Sequence, residues 1–167
     1  MGRDTWAGIA GTPTSYVYTD PSGRAYTITC YSSCSYVPNT PQLFALQTIK
    51  DLNGNVLTFS TSGITSSAGN VSITFARDSQ NRITKITDPG NNNYLYSYDT
   101  PCGTGNLCTV TFPGTPTVQA QYTYSNHFLE TQIDPNSNMT TYAYYSSGND
   151  QGNTWLDGRL QSVTTPY

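Results

Sequence analysis

A short turn-forming unit recurs along the chain, and it constrains the fold more than any other feature of the sequence. Each copy places a strand-forming residue before an Asp or Thr, and a run rich in Pro, Gly, Asn or Ser after it. The residues that follow the Asp or Thr are separated by 31, 37, 46 and 31 positions. These marker residues are Pro21, Leu52, Pro89, Pro135 and Pro166. Self-similarity at a loose period is typical of repeat proteins, so we expect one array of similar units.

Each copy has the composition of a β-hairpin turn. An Asp side chain bends the backbone through local hydrogen bonds, Pro fixes φ near −65°, and Gly or Asn accepts a positive φ. The residues that we predict to form the repeat turns are Asp20, Pro21, Gly23, Asp51, Gly54, Asp88, Pro89, Asp134, Pro135 and Pro166.

Alternating residues flank the turns, as in Tyr94, Tyr96 and Tyr98, and alternation of this kind predicts a strand. A second turn precedes the third and fifth copies, at residues 78–81 and 157–158. We therefore predict an all-β fold: one array of antiparallel hairpins over residues 1–167, forming a twisted continuous sheet or a β-solenoid-like rod that does not close into a shell by itself. The approximate units are residues 16–28, 48–59, 71–99, 122–145 and 155–167.

Two irregularities are expected within this array. Measured from its proline, Ile133 lies one place later than Ile86 does, which predicts a β-bulge or a shifted register in the strand at 128–133. The Ser/Thr/Gly-rich residues 60–70, together with residues 100–106, are expected to be excursions between units.

The composition excludes several classes of protein. Charged residues make up 10% of the chain and aromatic residues 13%, a balance opposite to that of disordered proteins. Ala, Leu, Glu and Lys are scarce while Thr, Tyr, Ile and Val favour strands, which argues against a helical protein. The net charge of −3 argues against nucleic acid as a partner. No apolar run approaches the roughly 18 residues of a membrane-spanning helix.

Four cysteines form two close pairs in the sequence, Cys30 with Cys34 and Cys102 with Cys108. Four cysteines allow three connectivities, and the spacing does not choose between them. We favour disulfides over a zinc site because the spacings are loose and the hydroxyl-rich composition suggests an extracellular setting. Two sequons make Asn70 and Asn138 candidate N-glycosylation sites, which are used only if the chain is secreted. The expected location is extracellular or on a cell surface, in a bacterium.

The segment from Asp78 to Asp99 resembles a YD repeat of the RHS family. It reads Asp-Ser-Gln-Asn-Arg-Ile-Thr-Lys-Ile-Thr-Asp-Pro at 78–89 and ends in Tyr98-Asp99, the dipeptide after which such repeats are named. Residues 157–166 resemble the first half of another copy, whereas the fourth turn is followed by Tyr144-Tyr145 in place of Tyr-Asp. The resemblance implies β-hairpins that coil into a continuous sheet. In that family long arrays form hollow shells, which enclose toxin domains in bacterial RHS proteins and insecticidal toxin complexes, and similar shells occur in teneurins.

The sequence contains few residues that could form a catalytic site. The one histidine, His127, falls where a turn is expected, so we interpret it as an exposed turn residue. The repeated Asp residues are explained by their turns, and no dense acidic loop suggests a Ca²⁺ site. We therefore predict no catalytic residue, no cofactor and no metal. The alternating tyrosines favour cross-strand ladders that stabilise the sheet, with carbohydrate stacking as the alternative.

The sequence favours a non-enzymatic extracellular structural protein whose copies or segments assemble into a fibre or surface scaffold. Unpaired edge strands recruit further strands, so the expected partner is another copy, joined head to tail. One alternative is a fragment of an RHS-type shell that encapsulates a toxin. A second alternative is a carbohydrate-binding adhesion module with a glycan partner.

Overall fold

The computed structural model describes residues 5–8, 15–32, 43–145 and 158–166, and these residues form antiparallel β-strands and turns without a helix. The chain divides into two compact units, Met1–Phe75 and Ala76–Tyr167, with the division inside one strand. The strands of the first unit are β1 (Thr5–Gly8), β2 (Ser15–Thr19), β3 (Ala25–Ser32), β4 (Leu43–Lys50), β5 (Val56–Ser60), β6 (Gly63–Ser66) and β7 (Ser72–Arg77), which crosses the boundary. The strands of the second unit are β8 (Ile83–Thr87), β9 (Asn93–Asp99), β10 (Gly103–Phe112), β11 (Val118–Ser125), β12 (Phe128–Ile133), β13 (Met139–Tyr144) and β14 (Leu160–Thr164).

The strand order follows the chain order in both units. Within each unit, the described strands contact their neighbours in the sequence, and no described strand of a unit contacts a strand of that unit further away. In neither unit does the first strand pair with the last, so the sheet stays open. The prediction of an all-β array of antiparallel hairpins in an open sheet is confirmed.

The two faces of the sheet differ in chemistry, and the pairing register of the second unit shows how. Val110 on β10 pairs with Tyr96 on β9 and with Ala120 on β11, while the alternate residue Thr109 pairs with Ser97 and Gln121. Side chains of successive strand residues point to opposite faces, so the apolar and polar sets separate. We call the two sides the aromatic face and the hydroxyl face. The aromatic face includes Tyr94, Tyr96, Tyr98, Val110, Phe112, Ala120, Tyr122, Tyr124 and Tyr142.

The first unit repeats this division. Its aromatic face carries the cross-strand row Tyr18, Tyr26, Ile49 and Leu57. Its hydroxyl face carries the row Thr27, Thr48, Thr58, Thr65 and Ser72, one residue from each of β3 to β7. A similar row in the second unit consists of Thr123, Thr131, Thr141 and Thr164. Hydroxyl pairs of this kind form cross-strand hydrogen bonds, as between Thr123 and Thr131 at 2.6 Å.

Few side chains in the described part of the chain are buried. Among the described residues, the buried apolar side chains are Cys30, Cys108, Val110 and Ala120, and no large side chain is fully buried. The strands contact only their sheet neighbours, so side chains are covered laterally by adjacent strands. The aromatic face is accordingly half-buried, and the β10–β11 pair holds its best-covered part.

Two irregularities in the sheet bear on the sequence predictions. The register shifts between Thr123 and Tyr124, which face Thr131 and Leu129, so β12 contains the bulge that was predicted for residues 128–133. The predicted excursions at residues 60–70 and 100–106 are wrong in part. The first contains β6, and the second contains the beginning of β10. The sequence indicates excursions at both segments because their small polar residues hide the strand pattern on a hydroxyl-rich face.

Candidate functional site: the Asp-capped turns and the Arg82 cluster

Five turns share one hydrogen-bond arrangement centred on an Asp side chain. In the turn at Asp88, the Oδ1 atom accepts hydrogen bonds from the backbone N–H of Gly90 at 2.8 Å and of Asn92 at 2.9 Å. The backbone N–H of Asn91 donates to the Asp88 carbonyl, and the Asp88 N–H donates to the Asn92 carbonyl. The same contacts recur in the turns that begin at Asp20, Asp51, Asp78 and Asp134.

The fourth residue of each turn explains the Gly and Asn in the sequence pattern. This residue has a positive φ, a conformation that Gly adopts without strain and that Asn tolerates. The five residues are Gly23, Gly54, Asn81, Asn91 and Ser137. The turn at residues 78–81, interpreted from the sequence as a separate kind of turn, therefore belongs to the same kind as the Asp-Pro turns.

The fifth residue of each turn adds a side-chain donor to the other carboxylate oxygen. Asn55, Asn92 and Asn138 each donate from Nδ2 to the Oδ2 atom of their turn Asp, at 2.7–3.0 Å. This side-chain hydrogen bond, together with those from the backbone, lowers the pKa of Asp51, Asp88 and Asp134 below the ordinary value. Arginine supplies the donor in the turns at Asp20 and Asp78. Both oxygens of each turn carboxylate therefore accept hydrogen bonds from within the turn.

Arg82 extends its turn into a cluster that joins two strands. Its Nε donates to Asp78 Oδ2 at 2.8 Å, and its two terminal nitrogens donate to the two oxygens of Asp99 at 3.0 and 2.8 Å. The guanidinium lies 4.4 Å from the centre of the Tyr98 ring, and the Tyr98 hydroxyl donates to the Ile83 carbonyl at 2.8 Å. The bidentate pairing and the ring contact use the planar fork that distinguishes arginine from lysine. The cluster ties the turn before β8 to the end of β9.

The charges in the Arg82 cluster stabilise one another. Hydrogen bonds from Arg82, and then from the Gly105 N–H, lower the pKa of Asp99 to about 2. Partial burial opposes the ionisation of Asp78, but the backbone and side-chain hydrogen bonds from Arg82 outweigh it and lower the pKa. Hydrogen bonds from Asp99 and Asp78 raise the pKa of Arg82. The three groups therefore remain ionised through the neutral range.

A disulfide loop extends the Arg82 cluster on the side of Asp99. Cys102 and Cys108 are bonded, with their Cα atoms 5.3 Å apart. Within the loop, the Gly105 N–H donates to Asp99 Oδ1 at 2.8 Å, and the Asn106 amide donates to the Cys102 carbonyl at 2.9 Å. The loop thus holds the carboxylate that Arg82 binds.

The structure also places the other residues singled out from the sequence. Cys30 is disulfide-bonded, whereas Cys34 and Asp157 lie outside the described residues. His127 lies in the exposed two-residue turn between β11 and β12, where a turn histidine was expected. Pro166 follows β14 and is exposed.

The two candidate glycosylation sites differ in their surroundings. Asn70 is exposed in the turn between β6 and β7. Asn138 is half-buried, and its Nδ2 donates to Asp134 at 3.0 Å. The side-chain nitrogen that a glycan would use is therefore engaged at Asn138.

Some of the aromatic rings contact one another. Described ring pairs join Tyr18 to Tyr26 at 5.8 Å between centroids, and Tyr94 to Phe112 at 6.3 Å. These contacts fit the ladder interpretation of the tyrosines. Across the described residues, no group of three or more His, Cys, Asp or Glu is placed to hold a metal ion. In the same part of the chain, no helix is long and apolar enough to span a membrane.

Arg82 and Asp99 are the residues whose role the sequence reasoning missed. The dipeptide Tyr98-Asp99 is part of the resemblance to a YD repeat, but the sequence alone indicates no contact for either residue. One pattern in the sequence could have indicated this contact. Arg82 comes immediately after the turn residue Asn81, and the second strand after it, β9, ends in Tyr98-Asp99.

The sequence matches no protein-family model, and a search of curated proteins finds no similar one.

Proposed function

We propose that the chain is a non-enzymatic structural protein of the extracellular space or cell surface, which builds a fibre or scaffold by adding strands at its sheet edges. The observation that carries this proposal is the sequential strand order, in which the described strands of each unit contact only their neighbours. In such an array the stability is a sum of unit and neighbour terms, so an added strand gains the same interactions as an internal one.

The strand β14 supports the proposal because, among the described strands, it has a partner on one side alone. It pairs with β13 on one side, and no described strand pairs with its other side. All five of its residues are exposed. Exposed edge strands offer unpaired backbone groups to other chains unless they carry protective features such as Lys or a bulge that twists the edge away. The five residues of β14 include no charged side chain.

The chemistry of the carboxylates supports a structural role over a catalytic one. The carboxylate oxygens of the five turn aspartates accept hydrogen bonds within their own turns, and the pKa values of these groups lie below the ordinary range. A general acid or base near neutral pH needs a pKa near the working pH and a reachable proton. These groups instead fix the hairpins that an array requires.

A second candidate function is a segment of an RHS-type shell around a toxin. It is favoured by the Arg82 cluster, which gives the Tyr-Asp pair of the YD-like segment a defined structural role. A parent gene that encodes many more repeats and a toxin domain would support this candidate over a fibre.

Assembly of the purified chain over a range of concentrations tests the main proposal. Electron microscopy and sedimentation should show filaments that grow with concentration. The double variant Ser162→Lys with Thr164→Lys, which adds two charges to the β14 edge strand, should remain monomeric. The control variant Gln119→Lys with Gln121→Lys adds the same charge to the exposed hydroxyl face of the internal strand β11 and should still assemble. A wild-type chain that stays monomeric, or an edge variant that assembles like the control, would refute the proposal.

A further inference from the structure

Arg24 makes the same first contact as Arg82 but lacks the second. Its Nε donates to Asp20 Oδ2 at 3.0 Å and to Ser22 Oγ at 3.2 Å, which fixes the direction of the guanidinium. In the other unit the Nε of Arg82 is held by its turn aspartate in the same way, and its two terminal nitrogens bind both oxygens of Asp99. Among the described residues, none accepts a hydrogen bond from the terminal nitrogens of Arg24, and the side chain is 55% exposed.

The carboxylate that lies beside Arg24 is held by its own turn. Asp51 follows β4, the strand that pairs with β3 just after Arg24. Its two oxygens accept hydrogen bonds within its turn at 2.7–2.9 Å, and it forms no ion pair with Arg24 among those that the structure describes. Asp99 does not cap a turn of this kind, so both of its oxygens can bind Arg82.

A hollow of about 380 Å³ lies next to Arg24. Tyr26, Ile49 and Leu57 belong to one cross-strand row of the aromatic face and provide its apolar wall. Ala68, in the turn between β6 and β7, also lines it. A concave site of this volume, mostly apolar and with a charged donor at its margin, has the character of a site for a small organic ligand.

The segments around the hollow are held in place by their own contacts. Leu52 in the turn after β4 lies against Gly23 in the turn before β3, so these two turns touch. Ser67, next to Ala68, exchanges two hydrogen bonds with the backbone of Val56, at 2.8 and 2.9 Å. The hollow is therefore formed before a ligand arrives.

We propose that this hollow binds a small organic carboxylate with an apolar body. The terminal nitrogens of Arg24 donate to the carboxylate as those of Arg82 donate to Asp99, and the apolar body packs against Tyr26 and Leu57. Bidentate pairing selects the planar carboxylate, and removal of apolar surface from water adds affinity. The site is independent of strand addition, because none of its residues belongs to β14.

Two carboxylates near Arg24 oppose a bound anion, and the chain itself shows that such opposition is overcome. Asp20 is paired with Arg24, and the oxygens of Asp51 are bound within their turn. Arg82 is likewise paired with its turn aspartate and still binds Asp99 through both terminal nitrogens. A second carboxylate is therefore the group that an arginine in this arrangement takes.

Phenylacetate is the probe, because it joins one carboxylate to one ring. Saturation-transfer NMR with the dilute 167-residue chain should show saturable binding of phenylacetate. Phenylacetamide has the same shape without the charge, and glucuronate has the charge without the apolar body. Each should bind about tenfold more weakly than phenylacetate.

Two variants locate the binding site. Arg24→Lys should weaken the binding of phenylacetate about tenfold, because lysine cannot form the bidentate contact. Ala68→Trp fills the hollow while Arg24 is retained, and it should abolish binding. Arg159→Lys makes the same change at an exposed arginine of the second unit and is the matched control, with unchanged affinity. Circular dichroism checks that each variant retains the sheet.

The proposal stands if phenylacetate binds saturably and both changes in the hollow weaken it while the control does not. Absence of binding, or equal binding to the wild-type, Arg24→Lys and Ala68→Trp chains, would overturn the site. Phenylacetamide or glucuronate binding as tightly as phenylacetate would overturn the assigned class of ligand. A chain that binds phenylacetate at the hollow and never forms filaments would retain this site while strand addition fails.

Discussion

Shortening one buried valine tests whether stability in this sheet is local. Val110 is 8% exposed at the centre of the aromatic face, where it pairs with Tyr96 and Ala120. Val110→Ala removes two methyl groups, each contributing about 0.8 kcal/mol when buried, so the expected loss in the free energy of unfolding is about 1.5 kcal/mol. Val163 on β14 is 47% exposed, and the same change there should cost about 0.8 kcal/mol.

Hydrogen exchange with mass spectrometry, supported by urea denaturation, measures the effect strand by strand. We expect Val110→Ala to reduce protection in β9, β10 and β11, with little change in β13, because the described strands of this unit contact only their neighbours. Val163→Ala is the control of identical chemistry and should affect β13 and β14. Equal losses from both variants, or a uniform loss across all strands, would refute the reasoning from local burial and neighbour contacts.

Three further predictions concern the Arg82 cluster, the disulfide loop and the sequons. The pKa of Asp99 is lowered from 3.8 to about 2 in the folded chain, so its stabilising contribution is complete above the unfolded pKa and is lost as the pH falls through the folded pKa. Urea midpoints should therefore fall between pH 4 and pH 2, and Asp99→Asn should flatten that fall. If the urea midpoint of the Asp99→Asn variant depends on pH as that of the wild type does, the stabilising contact between Asp99 and Arg82 is contradicted. Replacing Cys102 and Cys108 together by Ala opens a loop with a sequence separation of 6 and should cost about 2 kcal/mol by loop entropy, measured by denaturation. A variant as stable as the wild type would show that the disulfide adds nothing to the free energy of unfolding. In a secretory host, mass spectrometry should find glycan on Asn70 and far less on Asn138, since the latter amide is bound in its turn. Equal occupancy would contradict the expected protection of Asn138 by its turn.

The turns could be predicted from the sequence because their determinants are local. The Asp side chain reaches backbone groups two and four residues on. The positive φ at the fourth position favours Gly or Asn, and Ser137 is the exception among the five turns. The turn at Asp78 was separated from the repeat turns because it lies upstream of the Asp88 turn within the third copy, although its hydrogen bonds are the same. Proline only favours the backbone of the second position, whereas the Asp and the positive-φ residue define the turn.

The Arg82 cluster could not be predicted because it depends on strand pairing. Arg82 and Asp99 are 17 residues apart, and their contact requires the register of β8 and β9. The strand β6 was missed for a different reason. Its residues Ile64 and Thr65 lie on opposite faces of a sheet whose polar face is rich in hydroxyl groups, so its sequence looks like a loop.

Hydrogen exchange at β14, followed as the concentration of the unmodified chain is raised, tests the central claim most directly. If copies join by strand addition, the amides of Leu160–Thr164 are unprotected in dilute solution and become as protected as those of β10 when filaments appear. If these amides exchange at the same rate at every concentration, or if filaments form while β14 stays unprotected, the open edge is not the joint and the account is contradicted.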